Sequence, residues 1–178
     1  MIIRQEIDFL SPIFYESEKF IMLAFFHVEE KFTKFLQTFD KRVPMINYRT
    51  HDKFLCGTVL EIGNHQYYVP VSSNVKRMQT SLLIEDAKGV PFASLRFCFM
   101  FPATATVLTR ISFKNTQQND PQYAALLQSE WNFCRANEAS IRTKAKQVYK
   151  IGCNKNHPLN YTCCDFSFLE RYYLNYVP

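Results

Sequence analysis

From Phe54 to Ile62 the chain is almost continuously apolar and β-prone, Gly63-Asn64 breaks the run, and Gln66 to Val71 returns rich in Tyr and Val. That pattern predicts a β-hairpin closed by a two-residue turn. Upstream, Leu23 to His27 predicts a first strand. Val28, Phe32, Phe35, Leu36 and Phe39 then recur at helical spacing, which predicts an amphipathic helix ending before Val43-Pro44. Residues 45 to 52 read as a polar loop. Beyond the hairpin, Ser81 to Ile84 predicts a short strand and Asp86 to Gly89 a turn, and Leu95 to Phe101 and Ala105 to Phe113 predict two further strands parted by Pro102. Asp120-Pro121 opens a helix with Asp as N-cap and Pro in the first position. Its inward side is expected at Tyr123, Leu126, Leu127, Trp131 and Cys134, and Ile141, Ala145 and Val148 extend the pattern towards Tyr149. Asp165 caps a last helix with Phe168, Leu169 and Tyr172 turned inward. About six short strands, mostly antiparallel, and about three helices define an α+β fold, a small curled antiparallel sheet with helices packed on it. Residues 1 to 21 have no clean period and are expected to form an N-terminal extension, leaving 22 to 178 as one domain.

Composition narrows the picture. A chain of 178 residues with 17 Phe and 10 Tyr has ample material for one well-filled core. The net charge of +5 is unevenly placed: up to Glu61 there are 8 basic and 9 acidic residues, and beyond it 13 and 7. No acid falls between Glu138 and Asp165, where Arg142, Lys144, Lys146, Lys150 and Lys155 lie, so a positive face and a polyanionic partner are expected, with a solvated helix surface as the alternative. The six cysteines and four histidines have no zinc-type spacing, so neither a metal nor another cofactor is expected and the thiols read as reduced. The longest apolar run, Phe20 to Phe26, falls far short of the roughly 20 residues of a spanning helix, and the protein is expected to be cytoplasmic without membrane contact.

The hairpin carries the candidate chemistry. If its strands pair around Gly63-Asn64, Lys53 at the start of one and Ser72, Ser73 and Lys76 at the end of the other finish on one side of the sheet. Two hydroxyls and two ammonium groups suit a phosphate, because hydroxyls and N–H groups donate to its non-bridging oxygens while lysine supplies the opposing charge. The same residues in a turn with solvated flanks would be unremarkable.

Read with its flanks, the hairpin resembles a known family, the ToxN/AbiQ-type toxins of type III toxin–antitoxin systems. The resemblance rests on F-D-K-R-V-P (39 to 44), Lys53 before G-x-V-L-E-I (57 to 62), Tyr68-x-Pro70-x-Ser72-Ser73, and Gly89-Val90-Pro91. It continues through N-D-P-Q-Y-A-A-L-L (119 to 127), F-C-R-A-N (133 to 137) and C-C-D-F-x-x-L-E (163 to 170). It implies a compact, partly open β-barrel with helices around it. It also implies a metal-independent endoribonuclease that leaves 2′,3′-cyclic phosphate ends, held inactive by a small RNA pseudoknot in a protein–RNA hetero-oligomer and serving in phage defence. Carried over by position, Lys53 is the general acid/base candidate, Ser72 a phosphate-oxygen stabiliser and Ser73 a supporting donor. The family usually places a second lysine where this chain has Val75, so that role moves to Lys76. A lysine base would need a depressed pKa, which two lysines in one site favour. Candidate RNA contacts are Tyr48, Arg77, Arg142, Lys144, Lys146, Lys150 and Lys155. A non-catalytic RNA-binding module would use the same basic face, with aromatics and Arg stacking bases.

Overall fold

The computed structural model describes residues 23 to 46 and 53 to 178. The expected extension over 1 to 21 and the candidate Tyr48 lie outside them. The elements run β1 (Ala24–Val28), α1 (Glu30–Phe39), β2 (Leu55–Ile62), β3 (His65–Ser72), β4 (Ser81–Glu85), β5 (Pro91–Arg96), β6 (Phe101–Pro102), β7 (Leu108–Arg110), α2 (Phe113–Asn119), α3 (Pro121–Ala136), α4 (Glu138–Cys153) and α5 (Phe166–Tyr172). The strands pair antiparallel in the order β4-β5-β3-β2-β1-β7, with β6 also on β3, so the sheet curls without closing and helices pack on it. This is the α+β arrangement read from the sequence.

The hairpin forms around Gly63, whose φ of +56° is a left-handed turn conformation that side-chained residues resist. Near the turn, Ile62 faces His65 and Leu60 faces Tyr67; past a bulge in β2, Gly57 faces Tyr68 and Leu55 faces Pro70. Gly57 lies flat on the Tyr68 ring, where a Cβ would overlap it. The bulge has a long-range effect, because it sets what meets at the far end. In the turn-proximal register Lys53 would face Asn74, whereas the register after the bulge, continued two residues, puts it opposite Ser72.

Aromatic contacts knit the layers. Phe25 of β1 packs 4.7 Å from Phe54 and edge-on, at 5.4 Å, against Trp131 of α3. Tyr67 of β3 packs against Phe166 of α5 and Tyr149 of α4, and both tyrosine hydroxyls donate to Glu170, at 2.7 and 2.8 Å. Burial, reinforced by that shared carboxylate, pushes both tyrosine pKa values up. The α4 stripe Ile141, Ala145, Val148 and Gly152 is buried, and Gly152 touches the Phe166 ring so closely that no side chain would fit.

Several expected elements change. The strand expected over Leu95 to Phe101 breaks at a 3-10 turn, Phe97–Phe99, where the Met100 N–H turns back to the Phe97 carbonyl at 3.2 Å. The strand expected over Ala105 to Phe113 shrinks to Leu108–Arg110. Ser112 caps α2 just after it, accepting from the Asn115 N–H at 3.4 Å. Among the described residues there are five α-helices, somewhat more than the three or so expected. α2 is new, and the long C-terminal pattern divides at Asn137, whose side chain bonds back to the Phe133 carbonyl at 2.9 Å. In α3, Leu126 is exposed rather than inward, and the buried positions are Ala124, Leu127, Glu130 and Cys134. Asp120 and Asp165 cap α3 and α5 as predicted, each side chain accepting from the N–H three residues on.

Candidate active site

The end of the hairpin opens into a groove of about 370 Å³ lined by Lys41, Arg42, Lys53, Pro70, Ser72, Asn74, Arg96 and Phe99, among others. The pleat explains the lining. Pro70 and Ser72 are alternate residues of β3 and so share a face, Lys53 continues β2 opposite Ser72, and on the other flank β5 pairs Ser94 with Ser72. The strand end is pinned on both sides: the Val71 N–H reaches the Phe54 carbonyl at 3.1 Å, and the Lys53 N–H reaches Ile46 at 2.9 Å.

Past Ser72 the chain is held by side-chain turns. Ser72 Oγ accepts from the Asn74 N–H at 3.2 Å, Asn74 Oδ1 accepts from the Lys76 N–H at 2.9 Å, and buried Ser94 Oγ donates to the Asn74 carbonyl at 2.6 Å. Ser72 is therefore an acceptor within the fold and retains its own hydroxyl hydrogen for a ligand.

The opposite wall is the Lys41 to Met45 segment, which follows directly on Asp40. Asp40 is buried, with its carboxylate accepting from Arg42 Nε and Nη2 at 2.9 Å each and from the Asp165 N–H at 2.6 Å. Burial would raise the Asp40 pKa, but the Arg42 guanidinium and the backbone N–H bonds from Asp165 and, at 2.9 Å, from Arg42 itself outweigh it and hold the carboxyl below its ordinary value. Arg42 is thus tied by a fork to its own counter-ion. The described ionisable residues of the lining are Lys41, Arg42, Lys53 and Arg96, all cationic.

Of the expected catalytic residues, the groove brings Lys53 and Ser72 together. Ser73 and Lys76 are exposed on the loop beyond and do not line it. The candidate RNA contacts divide. Arg77 is exposed and 3.4 Å from Glu85. Arg142 bonds Glu138 at 2.7 Å and the Thr58 carbonyl at 3.0 Å, tying α4 to β2 at the bulge. Lys155 pairs with Asp165 at 2.7 Å. Lys144 and Lys150 line a second, shallow concavity with Gln79, Gln147, Ile151, Asn154 and His157, while Lys146 is exposed outside it. Lys41, Arg42, Asn74, Arg96 and Phe99 were not singled out from sequence. The K-R of F-D-K-R-V-P signalled the first two, whereas Arg96 reaches the groove only through strand register. Among the described residues no three His, Cys, Asp or Glu side chains converge as metal ligands would, and no helix is long and apolar enough to cross a membrane.

A curled, open antiparallel sheet with helices packed on it and lysine and serine at a strand-end groove defines a small α+β protein with a phosphate-sized cationic site. Residues 24–174 match the model of the ToxN toxin family of type III toxin–antitoxin systems, and the chain belongs to that family. It is 27% identical over 156 residues to the endoribonuclease ToxN of Bacillus thuringiensis subsp. kurstaki, covering 82% of this chain and 80% of that one. It is also 27% identical over 165 residues to the endoribonuclease ToxN of Pectobacterium atrosepticum, covering 86% and 94%. Its fold is similar to a type III system toxin selectively inhibited by a non-coding RNA pseudoknot (TM-score 0.80, 24% identity, 86% of this chain and 97% of that one). It is similar too to AbiQ, a lactococcal anti-phage endoribonuclease of a type III system (TM-score 0.76, 21% identity, 86% and 97%).

Proposed function

We propose that the protein is the endoribonuclease toxin of a type III toxin–antitoxin system. It cleaves single-stranded RNA in the cytoplasm without a metal ion, leaves 2′,3′-cyclic phosphate ends, and is restrained by a small pseudoknot RNA in a protein–RNA assembly that serves phage defence. The observation that carries this reading is the groove lined by both Lys53 and Ser72, in which every described ionisable lining residue is a lysine or arginine.

Attack by a ribose 2′-OH on the adjacent phosphate requires loss of that proton, delivery of one to the departing 5′-oxygen, and stabilisation of a five-coordinate dianion. Lys53 is the group that exchanges protons there. The Ser72 hydroxyl donates to a non-bridging oxygen, a role its own accepted bond from Asn74 leaves open. Ser73 is a supporting donor and Lys76 adds charge from the rim. Lys41 and the Arg96 guanidinium favour the growing negative charge, and a divalent cation would meet no described carboxylate in the lining. Lys144 and Lys150 offer the pseudoknot phosphates a second contact in their own concavity.

The test is cleavage of total RNA by the purified protein with end-group analysis. Cyclic phosphate ends are expected, with the rate unchanged in excess EDTA and abolished by Lys53→Ala or Ser72→Ala at nearly unchanged melting temperature. Tight RNA binding with intact RNA would instead mark a non-catalytic binding module, and activity lost to EDTA and restored by magnesium would overturn metal independence.

A further inference from the structure

We propose that Arg96 binds RNA in this groove, its guanidinium forking onto the phosphate next to the one held by Ser72; the assignment rests on the endoribonuclease reading. Position comes first. Ser94 pairs with Ser72, and Arg96 lies two residues on along β5, on the same face and about 7 Å away along the strand. That is comparable to the separation of neighbouring phosphates in an extended single strand, so a chain laid along β3 past Ser72 sets its next phosphate beside Arg96.

Chemistry comes second. Arg42, the other guanidinium of the groove, is neutralised by the Asp40 fork. Among the described residues Arg96 has no such carboxylate partner: Nη2 meets the Met78 thioether at 3.2 Å, the guanidinium carbon lies 5.6 Å from the Phe99 ring centre, and Nε is buried without a hydrogen bond. The buried Cys98 thiol lies close enough for Arg96 to oppose part of the pKa rise that burial imposes on it. A thioether, a thiol and an aromatic face orient the group without cancelling its charge. A planar fork held among soft neighbours in a cationic groove fits a phosphate, which accepts two parallel N–H bonds.

The experiment compares the wild type with Arg96→Gln and Arg96→Lys. The probe for binding is a short mixed-sequence RNA carrying 2′-O-methyl groups, which keeps every phosphate and removes the attacking hydroxyl, titrated at several salt concentrations. Arg96→Gln is expected to weaken binding at low salt by roughly tenfold to a hundredfold. It should also flatten the dependence of log K on log salt by about 0.7, the share of one single-strand phosphate contact. Arg96→Lys keeps the charge, so its slope should match the wild type while affinity and the cleavage rate on total RNA both fall, because an ammonium cannot make the fork. A wild-type slope in a folded Arg96→Gln protein, or wild-type affinity and cleavage in Arg96→Lys, would overturn the proposal. If the wild type binds the probe yet cleaves no RNA, the endoribonuclease reading fails while the slope difference still decides the role of Arg96.

Discussion

Glu130 sits on the buried face of α3 at 4% exposure, and its Oε2 has no hydrogen-bond partner. Loss of hydration raises its pKa from 4.5 to about 7. The unfolded chain releases the proton near 4.5 and the folded chain only near 7, so between those values the folded state binds more protons and stability falls as pH rises. At about 1.4 kcal/mol for each pKa unit, the accumulated loss above pH 7 is on the order of 3 kcal/mol, a large part of a domain's total stability. Glu130→Gln removes the ionisation and keeps the shape. Urea unfolding at pH 5 and pH 8 should show the wild type losing on the order of 3 kcal/mol more than Glu130→Gln across that interval, with the variant more stable at pH 8. Parallel pH dependence in the two proteins would refute the reasoning, since the carboxyl would then be reaching water or a counter-ion.

Other outcomes follow from the same structure. Gly57→Ala forces a Cβ into the buried Tyr68 ring, which Phe26 and the Thr58 hydroxyl hold in place, so thermal unfolding should report a loss of about 2 kcal/mol or more. Asp40→Ala strips the Arg42 fork and the Asp165 N–H of their acceptor and should cost about 2 kcal/mol at neutral pH. Because the Asp40 pKa is lowered by folding, that contribution is present above the ordinary value of 3.8 and fades as pH falls through the lower folded value, so the deficit of Asp40→Ala should shrink in acid titrations. Replacing Lys144 and Lys150 together should flatten the salt dependence of pseudoknot RNA binding by about 1.4 while sparing cleavage of short RNA, and an unchanged slope would mark that concavity as solvated surface.

What the sequence revealed depended on how local the cause was. Asp120-Pro121, Asp165 and Gly63-Asn64 act within a turn of chain, and the elements they start or join are where they were expected. Lys53 and Ser72 were legible as partners because a hairpin makes them neighbours in space. The break at Phe97–Phe99 was not, since the bond that makes it, from the Met100 N–H to the Phe97 carbonyl, joins backbone groups that leave no mark in the residue pattern. Nor was α2, a polar segment with no buried residue that is folded by its Ser112 cap and its contact with α3. The inward turn of Glu130 contradicts residue preference altogether. Arg96 escaped notice because its value lies in a register set two strands away.

The Asp40 clasp also has a meaning in time. One wall of the groove, Lys41 to Met45, is anchored through Asp40 to the first N–H of the segment that caps α5, 125 residues further on. During synthesis that anchor does not exist until Asp165 has left the ribosome, long after the hairpin residues. Until then that groove wall is unsecured, and a chain truncated before Asp165 would lose, with the anchor, the Phe166 and Glu170 partners of Tyr67 in the hairpin. Emergence of Asp165, rather than pairing of the strands, is then the event that secures the groove wall.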